Sequence, residues 1–350
     1  MRVHPFQPCR CQKWAIVGAV ILLSSNPALA WNSRGHMLVA AVAWQRLSPE
    51  ARTKAVALLQ LNPDAAKLLK GVRAENRDVG LFVRAATWPD AIKPIYTGKT
   101  NKPPHLPTDA QNVGYSDCLQ HRYWHFDDLP FSTDGTALQQ PGQPNAVTEI
   151  RLLTAALADP RTSDDVKSYD LSWLLHLVGD IHQPLHATSR FSKADSDGDS
   201  GGNGVQLCVR GKACSARFNS LHGFWDDALG NSISLSSVMA LACSSGTGKS
   251  SHCLPQAGAG PLRVSDPAAW AQESFTIARQ VAYRPPIGPG KGPYYVTAAY
   301  RQAVGATAEK QIALAGARLA NLLEAALATG VTLPVATPPL PSAATCPRLK

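Results

Sequence analysis

Residues 176–186 read HLVGDIHQPLH, and their spacing decides the fold class. His176 and Asp180 stand four apart, which on a helix puts both side chains on one face about a turn apart. Tyr169 to Ile181 carries helical apolar periodicity, so the pair is expected on a buried face. Pro184 then breaks the helix and leaves His186 just beyond it. The same His-x-x-x-Asp spacing returns at His222 and Asp226 in LHGFWDD. Imidazole and carboxylate together suit zinc, and an aspartate with two oxygens can bridge two ions. A third pair, His105 and Asp109, lies in KPPHLPTDA, where prolines forbid a helix face, and reads as surface loop.

Outward from this stretch, helical patterns dominate. Gly35 to Leu47 is almost continuously apolar, with Asn32 and Ser33 as cap candidates, and places His36 in a first turn. Ser48-Pro49-Glu50 opens a second helix running to about Leu61. Loops are predicted over 98–112 and from Pro130 to Pro144, and helices over Thr148 to Leu157, 266–283 and 294–328. SKADSDGDSGGNG at 192–204 is polar and glycine-rich, and Val205 to Phe218 alternates around Gly211-Lys212 as a short hairpin would. Strand signals are otherwise few, so the expected class is mainly α.

The chain has 350 residues, 45% of them apolar and 17% charged. That composition excludes a disordered, collagen-like or coiled-coil protein. The formal charge of +9 falls by three, to +6, when residues 1–30 with Arg2, Arg10 and Lys13 are set aside. The remaining excess favours a polyanionic partner. Residues 1–30 themselves read as a signal peptide: a basic start, an apolar run from Ala15 to Leu23, and Ala28-Leu29-Ala30 before Trp31. The run is too short to span a bilayer, so the mature chain is expected to start at Trp31 without a membrane anchor. Six cysteines then remain, as suits an oxidising compartment. They allow fifteen pairings. Local loops favour Cys208 with Cys214 and Cys243 with Cys253, leaving Cys118 for Cys346.

Several stretches together resemble a known family. Trp31-Asn-Ser-Arg-Gly-His36 after a signal peptide, WPDAIK around Asp90, HFDD from His125, HLVGDIHQPLH, GGN from Gly201, HGFWDD and, more loosely, WAQES at 270–274 are similar to the zinc-dependent single-strand nucleases of the S-one/P-one type. They occur in that family's order across residues 31–328. The resemblance implies a single-domain helical phospholipase C/nuclease-like fold over 31–330, with a short β-hairpin insertion and a Pro-rich tail at 331–350. It also implies three Zn2+. The α-amine and carbonyl of Trp31, His36 and one oxygen of Asp180 resemble the first site. Asp90, His125, His176 and the other oxygen of Asp180 resemble the second, and His186, His222 and Asp226 the third.

By the same resemblance, Phe126 stacks on a nucleobase, Asp128 and Lys93 touch the reacting region, and Asn203 contributes to substrate binding. Ser200 stands where the family usually has a basic residue. His182 should point away from the face of His176 and serve as a hydrogen-bond partner rather than a ligand. The resemblance implies a secreted or periplasmic, monomeric endonuclease. It would cut single-stranded DNA and RNA to 5′-phosphate products and act on 3′-nucleotides. A zinc phospholipase C and a non-catalytic, zinc-stabilised exported protein are the alternatives.

Overall fold

The computed structural model describes residues 31–94, 119–208, 214, 219–243 and 253–330. The readings of residues 1–30, of the loop at 98–112 with His105 and Asp109, of Cys118 with Cys346, and of the tail at 331–350 lie outside them.

The first helix, α1 (Ser33–Arg46), begins because the Asn32 side chain accepts the Gly35 N–H at 3.1 Å. Ser48 does the same for α2 (Pro49–Leu59), whose first position is proline. Three shorter helices follow: α3 (Ala65–Leu68), α4 (Arg77–Ala85) and α5 (Trp88–Ala91). A 3-10 turn at Arg122–His125 leads into strand β1 (Pro130–Ser132), so the loop expected from Pro130 starts with a strand. Asn145 and Thr148 form a reciprocal capping box at the start of α6 (Ala146–Ala158). The next helix, α7 (Asp164–Asp180), starts five residues before the expected Tyr169, with Asp164 and Asp165 in its first turn where the helix dipole favours acids.

Beyond α7, a 3-10 turn at Pro184–Ala187 precedes β2 (Ser189–Phe191), which pairs in parallel with β1. Next come β3 (Leu207–Cys208), α8 (Leu221–Asp226), α9 (Leu235–Leu241), α10 (Ala259–Leu262) and α11 (Pro267–Ile277). A π-helical turn, Ala278–Ala282, extends α11. Strand β4 (Tyr294–Tyr295) and α12 (Ala298–Gly330) complete the order.

The expected helix over 294–328 is therefore corrected at its start. Tyr294, Tyr295 and Val296 follow Gly292-Pro293 and take up strand pairing with β3, and Thr297 accepts the Tyr300 N–H at 3.1 Å to open the helix at Ala298. The hairpin reading is met in its flanks. Leu221 N–H donates to Val205 O at 2.8 Å and Leu207 N–H to Asn219 O at 2.6 Å; the tip lies outside the described residues. Both local disulfides, Cys208–Cys214 and Cys243–Cys253, are formed.

The core sits where α12 lies along α1, α6 and α7. Gly316 allows that approach, since a Cβ there would stand 2.5 Å from Val42 Cβ and 2.6 Å from Val39 O. On the other side of α7, Trp124 meets Trp173 edge-on at 4.9 Å between ring centres, and Trp88 does so at 6.4 Å. Tyr123 and Trp124 are buried. A smaller core of Leu185, Leu207, Leu221, Trp225 and Tyr300 supports the segment that carries His186 and His222. Among the described residues no helix is long and apolar enough to cross a membrane.

Candidate metal centre

Asp180 ends α7 and is fully buried. One of its oxygens, Oδ2, lies 3.3 Å from His176 Nε2 one turn earlier and 2.9 Å from His125 Nδ1, which closes the 3-10 turn. The other, Oδ1, lies 3.3 Å from Nε2 of His36 in the first turn of α1. The rings of His36 and His176 stack at 3.7 Å. Gly179 leaves room for this, because a Cβ there would be only 3.0 Å from His36 Nδ1. Asp90, from α5, brings Oδ1 to 3.7 Å from His176 Nε2 and accepts a 2.6 Å ion pair from Lys93. A separate group forms where His222 Nε2 lies 3.0 Å from His186 Nε2 and 3.7 Å from Asp226 Oδ2.

Three sets of potential ligand atoms thus gather, each within 4.8 Å: His36, His176 and Asp180; Asp90, His125 and His176; His186, His222 and Asp226. These are the side chains that the sequence pointed to.

The backbone orients the rings. His176 Nδ1 donates to Ala86 O at 2.7 Å, His186 Nδ1 to His125 O at 2.6 Å, and His222 Nδ1 to Gly201 O at 2.8 Å. With Nδ1 protonated, each ring turns an Nε2 lone pair to its cluster, the arrangement metal-binding histidines use. His125 is reversed. Its Nδ1 faces the cluster, while Nε2 is buried with no partner among the described residues.

Burial holds the His36, His125 and His186 rings far below the usual imidazole range and those of His176 and His222 at about 4. They are neutral near pH 7. Burial also raises the carboxyls of Asp180 and Asp226, each raised further by nearby carboxylates including Asp90. Asp180 Oδ1 and both nitrogens of His36 find no hydrogen bond among the described residues. Buried carboxylates and lone pairs left in this state are costly unless a cation joins them. The all-nitrogen-and-oxygen donor set fits zinc.

Beside the clusters, a cavity of about 200 Å3 is lined by Phe126, Asp128, Tyr123, Asn145, Phe191 and Ser200. Burial, then the charges of Asp199 and Asp127, raise the Asp128 carboxyl to about 8. Lys93 is buried against Asp90. Asn203 stands apart from this cavity: it is exposed, and its amide donates to Ser200 O at 2.8 Å. His182 is turned away entirely. Its Nδ1 donates to Val178 O at 2.7 Å, and its Nε2 accepts from Arg318, which is itself paired with Glu273. It therefore ties α7 to α12 and makes no hydrogen bond to any of the clustered side chains.

Sequence reasoning missed several supports. Gln183 donates to Asp226 Oδ1 at 2.8 Å. Asp199 accepts from the N–H groups of Arg190 and Gly202 and from Tyr283 Oη, fixing the loop that presents Gly201 O. The Gly201-Gly202 pair, both with positive φ, was the available signal for that loop.

Fold and site define a class: a helical protein with buried imidazole and carboxylate clusters of a kind that can hold metal ions. Residues 31–328 match the family described as S1/P1 Nuclease, and the chain belongs to that zinc-dependent family of phosphodiester-cleaving enzymes. It is similar to Nuclease S1 of Aspergillus oryzae (strain ATCC 42149 / RIB 40), 26% identical over 60% of this chain and 58% of that protein. It is also similar to two proteins of Arabidopsis thaliana. Endonuclease 3 is 24% identical over 89% of this chain and 93% of the relative, and Endonuclease 4 is 25% identical over 62% and 61%. The aligned stretch thus spans less than two thirds of Nuclease S1 and of Endonuclease 4.

Proposed function

We propose that the protein is a zinc-dependent endonuclease that hydrolyses phosphodiesters of single-stranded DNA and RNA, leaving 5′-phosphates, and that it also removes the phosphate of 3′-nucleotides. Family membership and the relatives' names, a nuclease and two endonucleases, support the reaction class. The observation that carries the reading is Asp180, whose two oxygens face two different histidine groups. On this reading three zinc ions are held: one by Trp31, His36 and Asp180, one by Asp90, His125, His176 and Asp180, and one by His186, His222 and Asp226.

Bound zinc supplies positive charge for the phosphoryl oxygens and acidifies water near neutral pH. The chain's own residues do the rest. Neutral imidazoles keep their lone pairs available because burial disfavours the protonated rings. Lys93 fixes the Asp90 carboxylate and has further N–H donors to offer a phosphate oxygen. Phe126 offers a ring face to a base, which is sequence-tolerant since every base has a π-face. Asp128, which lines the same cavity, can donate or accept a hydrogen bond at the base edge according to its protonation. Water adds its hydroxyl to phosphorus, the P–O3′ bond breaks, and O3′ takes up a proton.

The protein would act as a secreted or periplasmic monomer after cleavage between Ala30 and Trp31; the two disulfides support an oxidising compartment. Zinc per chain, measured on purified protein, together with digests of RNA, single-stranded DNA and phosphatidylcholine micelles, tests the proposal. Three zinc ions with hydrolysis of both nucleic acids is expected. Cleavage of the lipid alone would make it a phospholipase, and zinc without any hydrolysis would make it a structural protein.

A further inference from the structure

A second cavity, of about 580 Å3, lies behind the first. The two are separated by the β1–β2 ribbon. Side chains alternate along a strand, and here Ser189 and Phe191 line the Phe126 cavity while Arg190, between them, lines the other. No acidic residue lines this second cavity, but three arginines do: Arg190, Arg279 and Arg284.

Their states differ. Arg190 is buried and committed, donating to Gly288 O at 2.6 Å and Gly290 O at 2.9 Å beside Asp199. Arg279 and Arg284 are exposed, and neither guanidinium has an ion-pair or hydrogen-bond partner among the described residues. Arg279 lies over Phe131, 5.6 Å from the ring centre, and 5.4 Å from that of Phe275. Stacking occupies the face of a guanidinium and leaves its in-plane N–H fork free. That fork matches two oxygens of a phosphate. The backbone is also unusual at this point. Tyr283 N–H bonds to Ala278 O, five residues back, in the π-helical turn that carries Arg279; such turns occur often at functional sites.

We infer that Arg279 and Arg284 form a phosphate-binding exosite for a single-stranded polynucleotide, engaging backbone phosphates of the strand whose scissile linkage lies at the metal centre. The inference rests on the nuclease reading, and it adds the expectation that chain length matters. A strand long enough to pass the β1–β2 ribbon gains the two arginines; a dinucleotide or a 3′-nucleotide does not reach them.

The test is the Arg279→Gln/Arg284→Gln variant of the zinc-loaded enzyme, compared with the parent on a 20-nucleotide single strand and on a dinucleotide. For the long strand at 50 mM salt, kcat/KM should fall on the order of tenfold, mostly through KM. The slope of log kcat/KM against log salt should flatten by about 1.4, or about 0.7 for each lost phosphate contact on a single strand. Dinucleotide kinetics and zinc content should stay as in the parent. Arg279→Lys keeps the charge without the planar fork and should fall between.

Fluorescence anisotropy of a labelled phosphorothioate 20-mer reads the exosite without turnover. Weaker binding by the double variant is expected there as well. If the parent cut neither substrate, the nuclease reading would fail, while anisotropy would still report on the arginines. Equal long-strand binding and salt slope in parent and variant would overturn the exosite, as would equal losses on long and short substrates in a variant with native circular dichroism. Protection of the arginines by inorganic phosphate alone, with no preference for the 20-mer, would reduce the patch to a general anion site and overturn the polynucleotide assignment.

Discussion

Gly201 accepts a 2.8 Å hydrogen bond from His222 Nδ1 through its carbonyl, at a backbone φ of +63° that only glycine adopts without strain. A Cβ at this position would stand 2.2 Å from Leu185 O and 3.1 Å from His222 Nδ1. The glycine therefore sets both the tautomer and the place of one proposed ligand. Gly201→Ala should bind about one zinc fewer per chain and lose activity roughly 10- to 100-fold, the usual cost of disturbing a ligand's hydrogen-bond partner. Metal analysis beside RNA hydrolysis would check it, and full zinc content with normal turnover would show that the carbonyl has no such role.

Asp180→Asn keeps the shape of the side chain and removes a charge at the point where two histidine groups meet. On the bridging reading, paired cations lose their shared anion, so at least about one zinc and nearly all activity should go with it. Three zinc ions per chain and near-parent turnover would eliminate the bridge.

Phe126 forms part of the cavity next to His125, and removing its ring should weaken nucleotide binding by about 1–3 kcal/mol with metal content unchanged. A phosphodiester lacking a base serves as the control. An equal loss on that substrate would assign the effect to packing rather than stacking.

Much of this site was legible because its chemistry is local in sequence. His176 with Asp180 and His222 with Asp226 are helical neighbours, and the i, i+4 rule alone places each pair on one face. What the spacing could not convey is the non-local part: the His36 ring stacked on His176, the reversed ring of His125, and Lys93 held on Asp90. Those depend on helix packing permitted by Gly179 and on chain turns far apart in sequence. His182 shows the limit from the other side. Its place two residues past Asp180 predicted that it faced away as a hydrogen-bond partner, but not that the partner is Arg318, on a helix more than a hundred residues later. The start of α12 was misread for a related reason: Tyr294-Tyr295 pairs with β3, a tertiary contact that overrides local helical pattern.

Buried acids away from the metal centre give the stability a pH dependence. Glu149, fully buried on α6, has its carboxyl raised by burial to about 8, and Asp170 on α7 is raised as well, first by burial and then by the Glu149 charge. Because the folded state holds the Glu149 proton up to about pH 8 and the unfolded chain releases it near 4.5, unfolding free energy falls as pH rises between those values. Glu149→Gln removes this titration. From pH 5 to pH 9 the parent should lose on the order of a few kcal/mol relative to the variant, seen as a difference of several degrees in how Tm shifts. Parallel Tm curves for the two proteins would place the carboxyl's folded pKa near its ordinary value.

The start of the folded chain leads to the last prediction. Trp31 is buried, with its Cβ under Gly35, and the next residue ties this segment to the third cluster: Asn32 N–H donates to Asp226 O at 3.3 Å, and its side-chain amide donates to Asp227 and Gly230. If cleavage after Ala30 makes Trp31 the first residue, its α-amine begins a segment tied to the third cluster through Asn32. An α-amine has an ordinary pKa of about 7.7–8.0 and must be neutral to donate its lone pair, so coordination would depress that value; an internal peptide nitrogen has no such pair to give. Cleavage would then create a ligand as well as release the chain. A variant with one extra glycine before Trp31 should fold with native circular dichroism but bind about one zinc fewer and lose most activity. Trp31→Ala at a correctly cut terminus keeps the amine; it should lose about 3–5 kcal/mol of packing and retain its zinc. Mass spectrometry of the termini, zinc per chain and RNA hydrolysis on the same preparations separate the two effects. Equal zinc and activity in the extended and correctly cut proteins would show that the amine is no ligand.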